Sequence, residues 1–323
     1  MGNKAQKPSP GKKGIGCLGI GLIILGILIL VIGGFIFFAT AQLRRSDEEV
    51  LKSYQPSDQI LEIAEKNTLT DKGKATLYRA DPKLVDAQSF MKSCQTKARG
   101  IEPLGCIAPK PGGGPFGGRQ IFLLQIDDPI FADHKYSAAI HEMLHSAYDR
   151  LGSDEKKRVN ALLDQEFSKH QEDSYLKHAA DTLKARKGTG IEGVHSELHS
   201  KFGVEYSDLS PELEEYYKQY FTDRSKVVGL FTNGGFSTRI RTMDEVRYET
   251  EKLAPQLTAL QNQLTAYQNA GDQAGFNSLI GQYNSMVDQY NAKIRESQKA
   301  YNEVKQFYQY FNPDYKSPEE KTQ

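Results

Sequence analysis

The stretch that decides the fold is AAIHEMLHSAYDRL, residues 138–151. Ser137 stands before it as a candidate N-cap, and Gly152 follows it as a stop, which predicts a helix over Ala138–Leu151. Met143 and Leu144 supply apolar positions for packing.

Helices and strands are predicted on both sides of this stretch. Upstream, the apolar run RQIFLLQIDDP ends at Asp-Asp-Pro and predicts a strand over Gln120–Ile126. Earlier still, QILEIAEK predicts a helix and KATLYRA a short strand that stops at Asp81-Pro82. Further helices are predicted at about Asp154–His170, Glu172–Arg186 and Ile191–Lys201. The fold class is therefore α+β and mostly helical, with a small sheet.

A Gln/Asn-rich tract begins at Asp244. Apolar side chains recur in it at spacings of four and three, in two runs separated by NAGDQAG: Leu253, Leu257, Leu260, Leu264 and Tyr267, then Leu279, Tyr283, Met286 and Tyr290. The two seams predict an antiparallel helical hairpin of coiled-coil type over residues 241–311, in which Pro255 marks a helix start or a kink. The hairpin serves either as a scaffold or as an arm for a protein partner or self-association. Residues 312–323 are predicted to be a flexible tail.

The N-terminal region contains an uncharged run of thirty residues, GIGCLGIGLIILGILILVIGGFIFFATAQL, at 14–43. A bilayer-spanning helix needs about 20 apolar residues, and the run is too long for a cleavable signal peptide, so it predicts a retained signal anchor in the lipid bilayer. Lysines are concentrated in residues 1–13 and only two arginines follow the run, which places the N-terminus in the cytoplasm and the bulk of the chain outside.

Composition and cysteine usage exclude some classes of protein. Lys+Arg and Asp+Glu both total 41, which argues against a general nucleic-acid binder. Three cysteines are too few for a disulfide-dense scaffold. In an oxidising outer compartment, Cys94 and Cys106 are close enough in sequence to form a disulfide, although two free thiols remain the alternative.

The residues that indicate chemistry are His141-Glu142-Met143-Leu144-His145, an H-E-x-x-H sequence. Side chains four apart on a helix lie on one face, so both imidazoles can reach one metal ion, Zn²⁺ in the first instance. Glu142 lies beside the first ligand, where it can take a proton from the attacking water.

A catalytic zinc usually has three protein ligands, so a third ligand must come from another part of the chain. The residues directly after His145 supply none. Downstream, VHSELHSKFG offers Glu197 as the first choice and His199 as the alternative. His195 and His199 are also four apart and could form a metal pair of their own.

HEMLH on a helix after a short strand, with a carboxylate on a later helix, resembles the zincin metallopeptidases, specifically the gluzincin arrangement. The runs AAIHEMLHSAYDRL and ELHSKFGVEYSDLSPELEEYYKQYFTDR are similar to an uncharacterised group of membrane-anchored bacterial proteins. The resemblance covers about Gln120–Arg224 and implies that His141, His145 and Glu197 are zinc ligands. It implies that Glu142 is the general base, within a zincin-like domain over residues 44–240.

The resemblance also implies how substrate is held. Zincins pair the substrate backbone with an exposed edge strand, for which Gln120–Ile126 is the candidate. They stabilise the transition state with a Tyr, His or Arg near the zinc, for which Tyr217, Tyr220 and Arg224 are candidates.

Two classes of function follow from these features. The first is a zinc-dependent endopeptidase anchored in a bacterial membrane and facing outward, acting on peptides or proteins. The second is an envelope interaction protein that uses the hairpin and has a structural or vestigial metal site. Metal-assisted hydrolysis of a non-peptide substrate would use the same residues as the first.

Overall fold

The computed structural model describes residues 25, 27–34, 45–94, 104–110, 118–126, 131, 133–186, 188, 190–233 and 235–311. By its internal contacts the chain divides into two units, residues 1–49 and 50–323. The predicted anchor at 14–43 lies outside the described residues except at 25 and 27–34, which are helical. Within the described ranges, no helix combines the length and the apolar character needed to cross a bilayer. The predicted stub at 1–13 and the tail at 312–323 also lie outside the described residues.

The structure is mostly helical with a small sheet, which confirms the predicted fold class. The strands are β1 (Lys83–Val85), β2 (Gly105–Pro109) and β3 (Arg119–Leu124). The helices are α1 (Asp47–Ser53), α2 (Asp58–Lys66), α3 (Asp71–Arg79), α4 (Ala87–Cys94), α5 (His134–Asp149), α6 (Ser153–Lys169), α7 (Ser174–Ala185), α8 (Gly190–Val204), α9 (Pro211–Tyr217), α10 (Arg224–Asn233), α11 (Gly235–Ala270) and α12 (Gln273–Phe311).

The three strands form one sheet in the part of the chain that the structure describes. Strand β3 occupies the centre, pairing with β1 in parallel and with β2 in antiparallel register. The prediction that Gln120–Ile126 is an exposed edge strand is therefore wrong, because both backbone edges of β3 are already hydrogen-bonded. The edge beside helix α5 is β2, which carries Cys106. A disulfide joins Cys106 to Cys94 at the end of α4.

The prediction of a strand at KATLYRA is also wrong, because these residues lie in helix α3. The hydroxyl of Thr70 accepts a hydrogen bond from the backbone nitrogen of Gly73 and so caps the helix. Ala75 and Leu77 are buried in the core that helix α3 shares with α5. The capping bond and this tertiary burial outweigh the strand propensity of so short a segment.

Helix α5 begins earlier than predicted, at His134, so Ser137 is an interior residue and not the N-cap. The hydroxyl of Ser137 donates back to the carbonyl of His134. Tyr136 adds to this first turn, because its buried ring packs in the core and its hydroxyl bonds to Glu62. These contacts extend the helix by about one turn beyond the sequence prediction.

Helices α5 and α8 cross closely in the core. At Gly203 in α8, a Cβ atom would overlap Leu144 of α5 and lie 3.1 Å from the ring of Tyr217. Any larger residue would force the Leu144 side chain to move, so this glycine permits the close packing of the two helices that carry the predicted metal ligands.

Helices α11 and α12 pack along each other as an antiparallel hairpin, joined by a turn at Gly271, which has a positive φ of 68°. Leu260 and Leu264 are buried, whereas most of the other predicted seam residues keep part of their surface exposed. Pro255 does not start a helix, since α11 runs continuously through it. Because α11 begins at Gly235, the predicted domain boundary between residues 240 and 241 falls inside this helix.

Candidate metal centre

His141 and His145 are one turn apart on helix α5 and point the same way. Their Nε2 atoms are 3.1 Å apart, and each side chain is 22% exposed, so both can be reached from solvent. This convergence follows from the spacing of four residues on a regular helix.

Glu197 of helix α8 completes a cluster with these two histidines. Its Oε2 lies 3.4 Å from Nε2 of His145 and 3.8 Å from Nε2 of His141. Ligands bound at about 2.0–2.1 Å in a tetrahedral site are about 3.3–3.4 Å apart, close to these separations. Two imidazole nitrogens and one carboxylate oxygen form a donor set suited to Zn²⁺. Among the described residues, this is the group of His, Cys, Asp and Glu side chains with metal-binding spacing.

Ser196 orients one of the two imidazoles. Its Oγ lies 2.9 Å from Nδ1 of His145. When Nδ1 carries the proton and donates it to Ser196, the lone pair of Nε2 points into the cluster. The residue next to Glu197 in sequence therefore holds the ring of a histidine on another helix in place.

Burial and neighbouring charges shift the pKa values of all three side chains of the cluster. Burial lowers the pKa of His141 to about 3, so this imidazole is neutral near pH 7. Burial alone would also lower the pKa of His145, but its hydrogen bond to Glu197 and the charge of Glu142 raise it instead. Burial would raise the pKa of Glu197, but the neighbouring histidines and Lys201 hold it well below its usual range. An ionised carboxylate thus faces two imidazoles.

Glu142 faces the same cleft from helix α5. Burial raises its pKa to about 7, which suits a group that must both accept and release a proton near neutral pH. Strand β2 passes beside it, because a Cβ atom on Gly105 would lie only 3.0 Å from Cγ of Glu142. The edge strand and the acid–base candidate are therefore in direct contact.

His199, the alternative third ligand, lies outside the cluster. It is fully buried, with Nδ1 3.1 Å from the carbonyl of Leu144 and Nε2 2.9 Å from the hydroxyl of Tyr216. His195 also lies outside the cluster, with its Nε2 2.9 Å from Oδ1 of Asp164. The structure therefore brings Glu197, and neither of these histidines, to His141 and His145.

The three candidates for transition-state stabilisation do not line the cleft. The hydroxyl of Tyr217 donates to the carbonyl of His199, and Tyr220 lies in the core beside Tyr216. The guanidinium of Arg224 is buried and bonded to Glu214 and to backbone carbonyls. All three side chains contribute to the packing between helices α8, α9 and α10, where buried tyrosines supply both apolar contact and hydrogen bonds.

Three residues that sequence reasoning missed lie beside the cluster: Tyr175, Lys201 and Glu205. The Nζ of Lys201 donates to the hydroxyl of Tyr175 and lies 3.3 Å from Oε1 of Glu205. All three line the cleft. The spacing of four between Glu197, Lys201 and Glu205 is visible in the sequence, but a charged stripe on a helix usually faces solvent, so the spacing alone does not indicate a site.

The cleft has a volume of about 360 Å³ and is bounded by six elements. Besides α5, α7, α8, α10 and the start of β2, its wall includes the first turns of the hairpin helix α11, through Ser237, Ile240, Asp244 and Arg247. A cleft of this size is in the range that small-molecule and peptide side-chain sites occupy. The hairpin thus takes part in the site itself.

No family model, curated protein or solved structure matches the chain. We therefore infer its function from the residues of the cleft.

Proposed function

We propose that the chain is a zinc-dependent peptidase of the gluzincin type, with His141, His145 and Glu197 as zinc ligands and Glu142 as general base. The observation that carries the proposal is the convergence of two imidazole nitrogens and a carboxylate oxygen, at nearly tetrahedral spacing, in a cleft that also contains Glu142.

Zinc bound there would supply a Lewis acid that acidifies water and polarises a carbonyl group. Glu142 would take a proton from the attacking water and pass it to the leaving amine. Burial in the cleft raises the pKa of Glu142 above that of an ordinary glutamate, which supports the role of a group that accepts a proton and then releases it.

Strand β2 is the element best suited to hold a peptide substrate in this proposal. One edge of β2 pairs with β3, and in the described sheet no strand pairs with the other. An extended peptide could add to that edge by backbone hydrogen bonding. Gly105 would then bring the scissile bond close to Glu142.

The number of ligands favours catalysis over the competing interaction-protein hypothesis. Structural zinc sites are closed by four protein ligands, whereas catalytic sites have three and leave one position for water. The described residues supply three, beside an open cleft. The same cleft could serve hydrolysis of a non-peptide substrate, which parallel assays on peptides, esters and amides would distinguish.

The proposal places the peptidase on the outer side of the cytoplasmic membrane, in the cell envelope, held by residues 14–43. The disulfide between Cys94 and Cys106 supports this location, because such bonds persist mainly in oxidising compartments.

The test is metal analysis and peptide cleavage with the full chain in detergent. We expect one zinc per chain, and we expect Glu142→Gln to retain zinc but to lose at least about 100-fold in cleavage rate. His145→Ala should lose the metal. Glu212→Gln, an exposed residue of helix α9, is the matched control and should behave as the parent. A parent without zinc, or a fully active Glu142→Gln variant, would refute the proposal.

A further inference from the structure

Helix α8 and the residue directly after it carry an alternating charged stripe that faces inward. Glu197, Lys201 and Glu205 follow one another at intervals of four, so they lie on one face. The side chain of Lys201 is 6% exposed and that of Glu205 is 4% exposed. Charged groups are almost never buried to this degree without partners, so these contacts need an explanation.

Lys201 lies between the two carboxylates. Its Nζ is 3.7 Å from Oε1 of Glu197 and 3.3 Å from Oε1 of Glu205. The other oxygen of Glu197, Oε2, is the one that faces His141 and His145. The two oxygens of the third ligand therefore have separate partners.

Glu205 connects the same lysine to a second ligand. Its Oε1 lies 4.0 Å from Nδ1 of His141, and its Oε2 is buried without a hydrogen-bond partner among the described residues. A shift of about an ångström would let this carboxylate accept the Nδ1 proton of His141, the contact that commonly orients a metal-binding histidine. Tyr175 contacts the lysine in two ways. Its hydroxyl accepts a hydrogen bond from Nζ of Lys201, and its ring centre lies 3.8 Å from the same nitrogen.

We propose that Lys201 is a positioning residue of the metal centre, which engages Oε1 of Glu197 so that this ligand binds the metal through Oε2 alone. It also holds Glu205 beside His141. This inference rests on the proposed function, because it assigns a role relative to the same metal.

The consequence is control of coordination number. A carboxylate released from Lys201 could turn both oxygens toward the metal, which would raise the number of coordinating atoms from four to five and crowd the attacking water. Binding by Glu197 through one oxygen would keep room for that water.

The experiment measures the metal affinity of the full chain by chelator competition and its metal geometry by Co²⁺ absorption. Thermal unfolding of the metal-free protein is measured in parallel. The variants are Lys201→Met, Glu205→Gln and the double variant. Lys169→Met is the control, because Lys169 also pairs with a buried carboxylate, Glu166, but lies away from the cleft.

We expect Lys201→Met to bind zinc roughly 10–100-fold more weakly, as is typical when a group that orients a ligand is lost. Its Co²⁺ absorption should weaken, because intensity falls as coordination rises from four to five. Its midpoint of thermal unfolding should fall as well, since Glu205 is left buried without a counter-charge.

The double variant separates positioning from simple charge balance. It should recover much of the unfolding midpoint, because neither charge remains, but it should recover neither the zinc affinity nor the Co²⁺ spectrum. A double variant with the parent's affinity and spectrum would overturn the role of Lys201 and leave the proposed function intact. A parent that binds no metal would overturn both.

Discussion

At the scale of single residues, the proposed metal centre depends on contacts outside its three proposed ligands. Each histidine has a second ring nitrogen that must be protonated when Nε2 faces a metal, and this proton needs an acceptor. Ser196 provides one for His145 at 2.9 Å, and Glu205 lies near Nδ1 of His141. The two contacts beside the histidines therefore come from Ser196 of α8 and from Glu205, the residue directly after that helix.

Replacing Ser196 by alanine tests this arrangement. The Nδ1 proton of His145 would lose its acceptor, so we expect zinc affinity to fall by about 10-fold or more, measured by competition with a chelator. Ser200→Ala is the control, because Ser200 is buried on the same helix and its hydroxyl donates to the backbone of Ser196. Equal affinities in the two variants would contradict the orienting role.

At the scale of helices and strands, the site depends on how closely α5 and α8 approach. The ligands come from two helices, so the distance between Glu197 and the histidines is set by packing elsewhere along the same pair. Gly203 is a point of close approach, where α8 meets Leu144 and Tyr217. This contact lies in the core, yet it helps to determine the geometry of the cluster.

Gly203→Ala should separate the two helices. The added methyl group would overlap Leu144, so we expect a loss of about 1–3 kcal/mol in the free energy of unfolding, measured by denaturant titration, and weaker zinc binding.

Gly229→Ala in helix α10 is the matched control. There the nearest atom to a new Cβ is Asn233 Nδ2 at 3.8 Å. We expect it to be neutral or to add up to about 1 kcal/mol, because alanine favours helix more than glycine does. Similar losses in both variants would show that close packing at Gly203 is not the cause.

At the scale of the whole molecule, the hairpin joins the site to the rest of the chain. The first turns of α11 form a wall of the cleft. Ile240 and Met243 pack with Tyr301 of α12 against a second cluster of buried apolar residues, which includes Phe90 of α4 and Phe122 of β3. Farther from the cleft, helices α11 and α12 pack mainly on each other. The start of the hairpin thus supports the cleft, while the described residues of its far part lie outside the core and suit an arm for a partner. The sequence alone predicts these two roles as alternatives.

The orientation of the chain in the membrane is a prediction at this same scale. Lysines before residue 14 outnumber the arginines after residue 43, so the C-terminal part should be outside. Alkaline phosphatase fused after Gln323 should be active in intact bacteria, because it needs an oxidising compartment, whereas a fluorescent-protein fusion that matures only in the cytoplasm should be dark. The opposite pair of results would contradict the outward orientation.

Features that depend on the local spacing of residues can be predicted from the sequence alone. Residues four apart on a helix share a face, so the spacing alone pairs His141 with His145. Periodic leucines likewise predict the hairpin, and the compact apolar run predicts strand β3. The mostly helical fold class follows from the same local patterns.

Features that depend on contacts between distant segments of the chain are visible only in the tertiary structure. Sequence patterns could not show that β3 is central and β2 the edge, since strand order depends on pairing across the sheet. Sequence patterns also could not show that the start of the hairpin forms a wall of the cleft. Lys201 and Glu205 have the spacing of a solvated stripe, and only packing of α8 against α5 and α7 buries them. The physical reason is that periodicity fixes which side chains share a face, while burial and neighbours depend on what packs against that face.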